Sequence, residues 1–322
     1  MSGPKLALLC PGQGAQKVGM GKALADAYPE ARAVFDEAAS ILGEDFRRVM
    51  WEGPETELKQ TFHTQPALLV HSVAAIRVLL AKGARPDFAA GHSLGEYSAH
   101  VAAGSLTFPD ALQLVRRRGE LMQRAGEARP GAMAAIVGLP TEEVERVCAE
   151  VRESGGGEVV AANLNSAAQT VISGEVAAVE QGMARAKAAG ARLAVRLEVS
   201  GAFHSPLMAP AAQGLAEALA QVEIHDARFP VIANATARPV SHAAEIRAAL
   251  EAQLLSPVRW HESMRTLLDQ GVSAFVEVGS GKVLRGLLKN IDKEIASGNV
   301  EDPASLAETL DFLSARGVEV GS

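Results

Sequence analysis

The chain has 322 residues, 48% of them hydrophobic, 21% charged and only 4% aromatic. That composition excludes a disordered chain and predicts a globular enzyme with a core of Ala, Leu and Val; the length suffices for one large α/β domain with an insertion, or for two ordinary domains. The formal net charge of −7 speaks against nucleic acid as a general partner and for a soluble, monomeric protein.

Cys10 and Cys148 form no framework of spaced pairs, so neither a disulfide scaffold nor a zinc site is expected. The apolar run in "MSGPKLALLCPGQG" is too short for a signal peptide, and no stretch reads as long enough to span a membrane. The expectation is a cytoplasmic protein with no membrane contact and no bound metal.

Leu6 to Cys10 is a short apolar run ended by Pro11-Gly12, a buried strand entering a loop. A helix is expected over Tyr28–Leu42, stopped at Gly43, and a largely buried one over Pro66–Lys82, stopped at Gly83. Asp87–Gly91 is a second strand, with helix from Ala99 onward and another over Pro109–Ala125. Strands alternating with helices imply a parallel sheet.

The pattern then changes. Gly131–Leu139 reads as a strand, Thr141–Val151 as a helix with Thr141 at its N-cap, Glu158–Asn163 and Thr170–Ser173 as strands, Val176–Ala189 as a helix and Leu193–Val199 as a strand. This β-α-β-β-α-β order is the split arrangement of ferredoxin-like folds. Residues 129–199 are therefore taken as an inserted subdomain. Helix Ala211–Gln221, strand Phe229–Asn234, helix Ile246–Leu255, strand Ser273–Val278 and helix Lys282–Ile291 return the chain to the large domain, residues 1–128 and 200–322. One further helix, Pro303–Ala315, occupies the tail.

Gly91-His92-Ser93-Leu94-Gly95 lies where a short strand meets a helix, the context a nucleophile elbow requires. Small residues two places to either side permit a tight turn. The next amide, that of Leu94, then points from a helix start at the space before Ser93 and would stabilise an oxyanion. The alternative is a glycine-flanked serine in an ordinary turn.

A serine needs a base. His92 adjoins Ser93, but neighbours on such a turn diverge. His63, His71 and His100 lie on helices or their approaches, and His225, His242 and His261 carry no further signal. His204 sits in "VSGAFHSPLMAP", a loop of the kind that brings side chains to the carboxyl edge of a sheet. It competes with a plain structural loop histidine.

"PGQGAQKVGMG" fails as a dinucleotide fingerprint because Lys17 stands where the third glycine belongs; it reads better as a loop whose backbone approaches something closely. "EVGSGKVL" fails as a phosphate loop, with Val276 and Val283 in place of the required residues. Arg116, Arg117 and Arg118 span about 200° of a helix, so they cannot all face one way. One can point inward, and a buried arginine wants an anion.

Taken in order, "PGQGAQKVGMG", "TQPALLVHSVAA", "GHSLGEYSAHVAAG", "RRRGELMQ", "GAMAAIVGL", "NLNSAAQTVISG", "VSGAFHSPLM", "QLLSPVRW" and "EVGSGKVL" resemble the malonyl-CoA:acyl carrier protein transacylases and related polyketide acyltransferase domains over nearly the whole chain. The resemblance implies an α/β-hydrolase-like core with a ferredoxin-like insertion. It implies transfer of malonyl from malonyl-CoA to the phosphopantetheine thiol of acyl carrier protein, without bound cofactor. It implies Ser93 as nucleophile, His204 as base, Gln13 and Leu94 as oxyanion donors, and Arg118 as partner of the malonyl carboxylate. In place of a third-residue Asp, a backbone carbonyl at Gln253 would orient His204. Phe203 and Met122 would wall the acyl pocket, and a bulky Phe203 leaves little room for an α-methyl group. Ala202 stands where many bacterial relatives have proline, which keeps a freestanding polyketide acyltransferase as the second reading. A hydrolase and a noncatalytic binding subunit are the rivals from other classes.

Overall fold

The computed structural model describes residues 3–321. In chain order the elements are β1 (Lys5–Cys10), α1 (Lys22–Ala27), α2 (Pro29–Leu42), α3 (Glu44–Glu52), α4 (Glu55–Leu58), α5 (Thr61–Ala81), β2 (Phe88–Gly91), α6 (Gly95–Ala103) and α7 (Phe108–Ala128). Then follow β3 (Gly131–Val137), α8 (Thr141–Glu153), β4 (Val159–Ser166), β5 (Gln169–Glu175), α9 (Val176–Ala188) and β6 (Leu193–Arg196). The chain closes with α10 (Ala209–Leu219), β7 (Val231–Ile232), β8 (Pro239–Val240), α11 (Ala243–Gln253), α12 (Trp260–Asp269), β9 (Val272–Val278), α13 (Val283–Ile291), β10 (Ser297–Val300) and α14 (Pro303–Ala315).

Two sheets result. The larger has the order β10-β9-β1-β2-β7-β8 and is parallel except for the last pair. Its central strands β1 and β2 are apolar and almost wholly buried, as a parallel sheet covered on both faces demands. The smaller sheet, β4-β5-β3-β6, is antiparallel and carries α8 and α9, the ferredoxin-like insertion. A short parallel bridge ties β4 of the smaller sheet to the segment between α11 and α12: Val258 donates to Ala162 O at 2.8 Å and Leu164 donates to Val258 O at 2.9 Å.

Several elements differ from the sequence reading. Helix α5 starts at Thr61 and runs through Pro66. Proline cannot donate to the carbonyl four residues back, and Arg116 Nη1 supplies that bond to Phe62 O at 3.0 Å. The helix is also long and apolar enough to cross a membrane, contrary to the reading that no stretch is, but 83% of its apolar window is buried inside the fold. Thr141 is the first helical residue rather than the N-cap, because Pro140 before it holds the extended capping conformation; the Thr141 hydroxyl bonds Thr170 Oγ1 instead. Strand β6 stops at Arg196, β7 has two residues, and β10 extends the sheet where no strand was expected.

Candidate active site

The elbow is built by close backbone approach. A Cβ on Gly91 would lie 1.9 Å from Gly95 C, and one on Gly95 would lie 2.0 Å from Cys10 O. Real Cβ atoms do not approach that closely, so only glycine lets β1, β2 and α6 converge there. The turn between the glycines throws Ser93 to φ 52°, in the left-handed region. Such backbone costs on the order of 1–3 kcal/mol for a residue with a side chain and persists only where its surroundings enforce it. Here Asn234 does so, since its Oδ1 accepts from Ser93 N at 2.7 Å and its Nδ2 donates to Gly91 O at 2.7 Å.

Ser93 Oγ lies 2.7 Å from His204 Nε2. His204 is buried and has φ 56°, so both members of the pair sit in left-handed backbone. Its Nδ1 faces two carbonyls, Gln253 O at 3.1 Å and Ser256 O at 3.2 Å. Carbonyls only accept, so Nδ1 carries the proton and Nε2 is left free to receive one from the serine. Burial, and secondarily the Arg118 charge, lowers the His204 pKa to about 3, which keeps the ring neutral.

Of the three arginines, Arg118 is the one that turns inward, with about 1% of its surface exposed. Its Nη1 donates to Gln65 Oε1 at 2.8 Å, and its Nη2 to Gln253 Oε1 at 3.0 Å and Ser93 Oγ at 3.1 Å. All three acceptors are neutral, and Nε has no partner among the described residues. Arg116 instead pairs with Glu120, as does the more exposed Arg117.

A cavity of about 320 Å³ opens over this pair, and Gln13, Leu94, Arg118, Met122, Phe203 and His204 are among its lining. The first loop reaches the elbow because Gly12 packs on it; a Cβ there would lie 2.4 Å from His92 O. The amides of Gln13 and Leu94 donate to no protein acceptor among the described residues. A second cavity of about 240 Å³ shares Gln13, His92 and Asn163 with the first and continues it toward α13. Of the residues expected in the site, only Gln253 stands behind the wall, reached through its hydrogen bonds.

His92 turns away from Ser93 to Asn165 Oδ1 at 2.9 Å and leans on Trp260. His71 and His100 are buried in the core, their pKa values pushed down by burial to about 4 and about 3. Four polar residues of the site escape a reading of the sequence: Gln65, Glu96, Asn234 and Ser256. Gln65, Glu96 and Ser256 lie inside quoted motifs, but Asn234 acts from an unmarked turn after β7.

Residues 7–306 match the family model described as the acyl transferase domain. The chain belongs to that family. This acyl transferase is 47% identical, over 96% of its length and 97% of the relative's, to the malonyl CoA-acyl carrier protein transacylase of Bacillus subtilis. To the protein of that name from Escherichia coli K12 it is 43% identical over 96% and 99%. Its fold superposes with TM-score 0.92 on the malonyl CoA-acyl carrier protein transacylase from Coxiella burnetii, 40% identical and covering 97% and 98% of the two chains. It superposes with TM-score 0.91 on a malonyl-transacylase solved in complex with a type II polyketide acyl-carrier protein, 45% identical over 95% and 99%.

Proposed function

We propose that this chain moves a malonyl group from coenzyme A to the phosphopantetheine thiol of acyl carrier protein through an ester on Ser93. The observation that carries the reading is Arg118, a buried cation with only neutral acceptors, one of which is the hydroxyl of Ser93. A buried guanidinium with no carboxylate in hydrogen-bond contact is costly. An acyl group ending in a carboxylate supplies the missing anion in the same movement that delivers its thioester to Ser93.

His204 Nε2 takes the Ser93 proton while Oγ attacks the thioester carbonyl, and the oxyanion is met by the Gln13 and Leu94 amides. The C–S bond breaks, and coenzyme A leaves as its thiol with the proton from His204. The carrier thiol then gives its proton to His204 and attacks the ester, and Ser93 leaves with that proton. Every atom is accounted for by the two thiols and the acyl group, so the cycle calls for no metal or bound cofactor. Residues 1–128 with 200–322 form the catalytic unit on this reading, and 129–199 the insertion that covers it. The enzyme works as a cytoplasmic monomer in fatty acid synthesis. The similarity to a transacylase solved with a polyketide carrier protein supports polyketide supply as the second reading.

The test is mass spectrometry after incubation with malonyl-CoA. The peptide holding Ser93 gains one malonyl group in the native chain and none in Ser93→Ala. Arg118→Ala lowers malonyl transfer roughly 10- to 100-fold, the worth of a lost charge-assisted contact, and acetyl transfer much less. Equal losses for the two acyl groups would overturn the carboxylate role. Release of free malonate as fast as transfer would overturn the transferase in favour of a hydrolase.

A further inference from the structure

Behind the cavity wall, the Gln253 side chain touches three parts of the machinery at once. Its Nε2 donates to Ser93 O at 2.9 Å and to Glu96 Oε2 at 2.7 Å, while its Oε1 accepts from Arg118 Nη2 at 3.0 Å. An amide can be turned end for end with no change of shape, so its orientation is decided only by the groups around it. Turned over, Gln253 would set an oxygen against two acceptors and an NH2 against a guanidinium.

Glu96, in the first turn of α6, is wholly buried. Its Oε2 also accepts from Asn234 N at 3.1 Å, and its Oε1 has no partner among the described residues. A buried carboxylate with one oxygen idle is expensive to keep. Burial raises its pKa to about 7 against those two hydrogen bonds and the charge of Arg118. Glu96 does not line the cavity and has no part in the proton transfers. What it touches is the donor end of Gln253 and the strand-end residue that braces the elbow.

We infer that Glu96 is a specificity-determining positioning residue: by accepting from Gln253 Nε2 it turns the amide oxygen toward Arg118, and so holds the guanidinium where it meets an acyl carboxylate. The inference rests on the carboxylate role of Arg118 proposed above. Without the Glu96 acceptor, Ser93 O is the one acceptor left to the donor end of the amide, the turned-over state becomes populated despite the lost bond from Arg118, and Arg118 swings with it. Acyl groups without a carboxylate do not depend on that guanidinium and lose little.

The experiment measures kcat/KM for malonyl-CoA and for acetyl-CoA on the same preparation, so that the folded fraction cancels in their ratio. Glu96→Met fills the space without an acceptor and lowers the malonyl-to-acetyl ratio about tenfold. Glu96→Gln keeps an oxygen at the Oε2 position and holds the ratio within about twofold of the native value. An unchanged ratio in Glu96→Met overturns the inference, and so does a fall in Glu96→Gln as large as in Glu96→Met. Should Glu96→Met not fold, Glu96→Ala carries the same comparison. Arg118→Ala, run in parallel, separates the two levels. If it leaves the ratio unchanged, the carboxylate reading fails and this inference with it. If it collapses the ratio while the Glu96 variants behave alike, only the positioning role is lost.

Discussion

At the level of single residues, the elbow glycines and the two left-handed side chains fix where a proton can move. Gly95→Ala drives a Cβ into the carbonyl of Cys10, backbone against backbone, and acylation of Ser93 should fall at least about 100-fold. Gly286 makes the contrast. It is an exposed helical glycine, and a methyl group on its Cα would meet nothing within 4 Å. Gly286→Ala should therefore leave acylation intact and stabilise α13 by about 0.5–1 kcal/mol in a denaturant titration. Arg118 also lowers the His204 pKa, second to burial. Removing that charge raises it, so the acid limb of the pH–rate profile for acetyl transfer should move to higher pH in Arg118→Ala. A limb that stays or moves down would show that Arg118 does not act on the base. Ser93 is legible in the sequence because it sits in a short pattern with a mechanism; His204 is one candidate from its loop and Arg118 one of three arginines, and the family resemblance is what singles them out. Asn234 and Glu96 are not legible, since their partners lie more than 130 residues away in sequence and no local spacing announces them.

Elements fail or succeed in the sequence by their periodicity. The long apolar helix is visible there, but its start is not, because Pro66 looks like a first-turn proline when its neighbour on α7 is unknown. Arg116, reaching across to Phe62 O, is what lets the helix begin a turn and more earlier. Strand β10 escapes because Ser297, Gly298 and Asn299 are poor strand formers; it pairs because Gly298 lets Thr309 of α14 come close. The end of β7 has a functional consequence. Asn234 clamps Ser93 N and Gly91 O with one side chain. Asn234→Ala should therefore lower kcat about tenfold or more while KM for malonyl-CoA stays within about twofold. A change confined to KM would mean that the elbow holds its shape without this brace.

Across the whole molecule, buried titratable groups pull stability in opposite directions. His71, His92, His100 and His204 are all held below their ordinary pKa by burial. The unfolded chain takes up these protons first, so their contribution is present above about pH 6.5 and is lost as pH falls toward 4 and 3. Glu96 and Glu277 are raised to about 7. The folded chain protonates them first, so between pH 7 and about 4.5 they partly offset the histidines, and below that they no longer do. The melting temperature should thus change gently from pH 7 to 5 and drop steeply below about 4.5. A steep fall already complete by pH 5.5 would contradict that balance.

The lone guanidinium under the serine also bears on heat tolerance. Without an acyl group on Ser93, the guanidinium hydrogen-bonds to neutral oxygens alone. A malonyl ester on Ser93 brings its own negative charge into that space and offsets that of Arg118, while the smaller, uncharged acetyl ester does not. The resting protein is then the more fragile of its two working forms. Scanning calorimetry should show the malonylated enzyme melting above both the free and the acetylated ones, so that the cargo acts for part of each cycle as a missing piece of the fold.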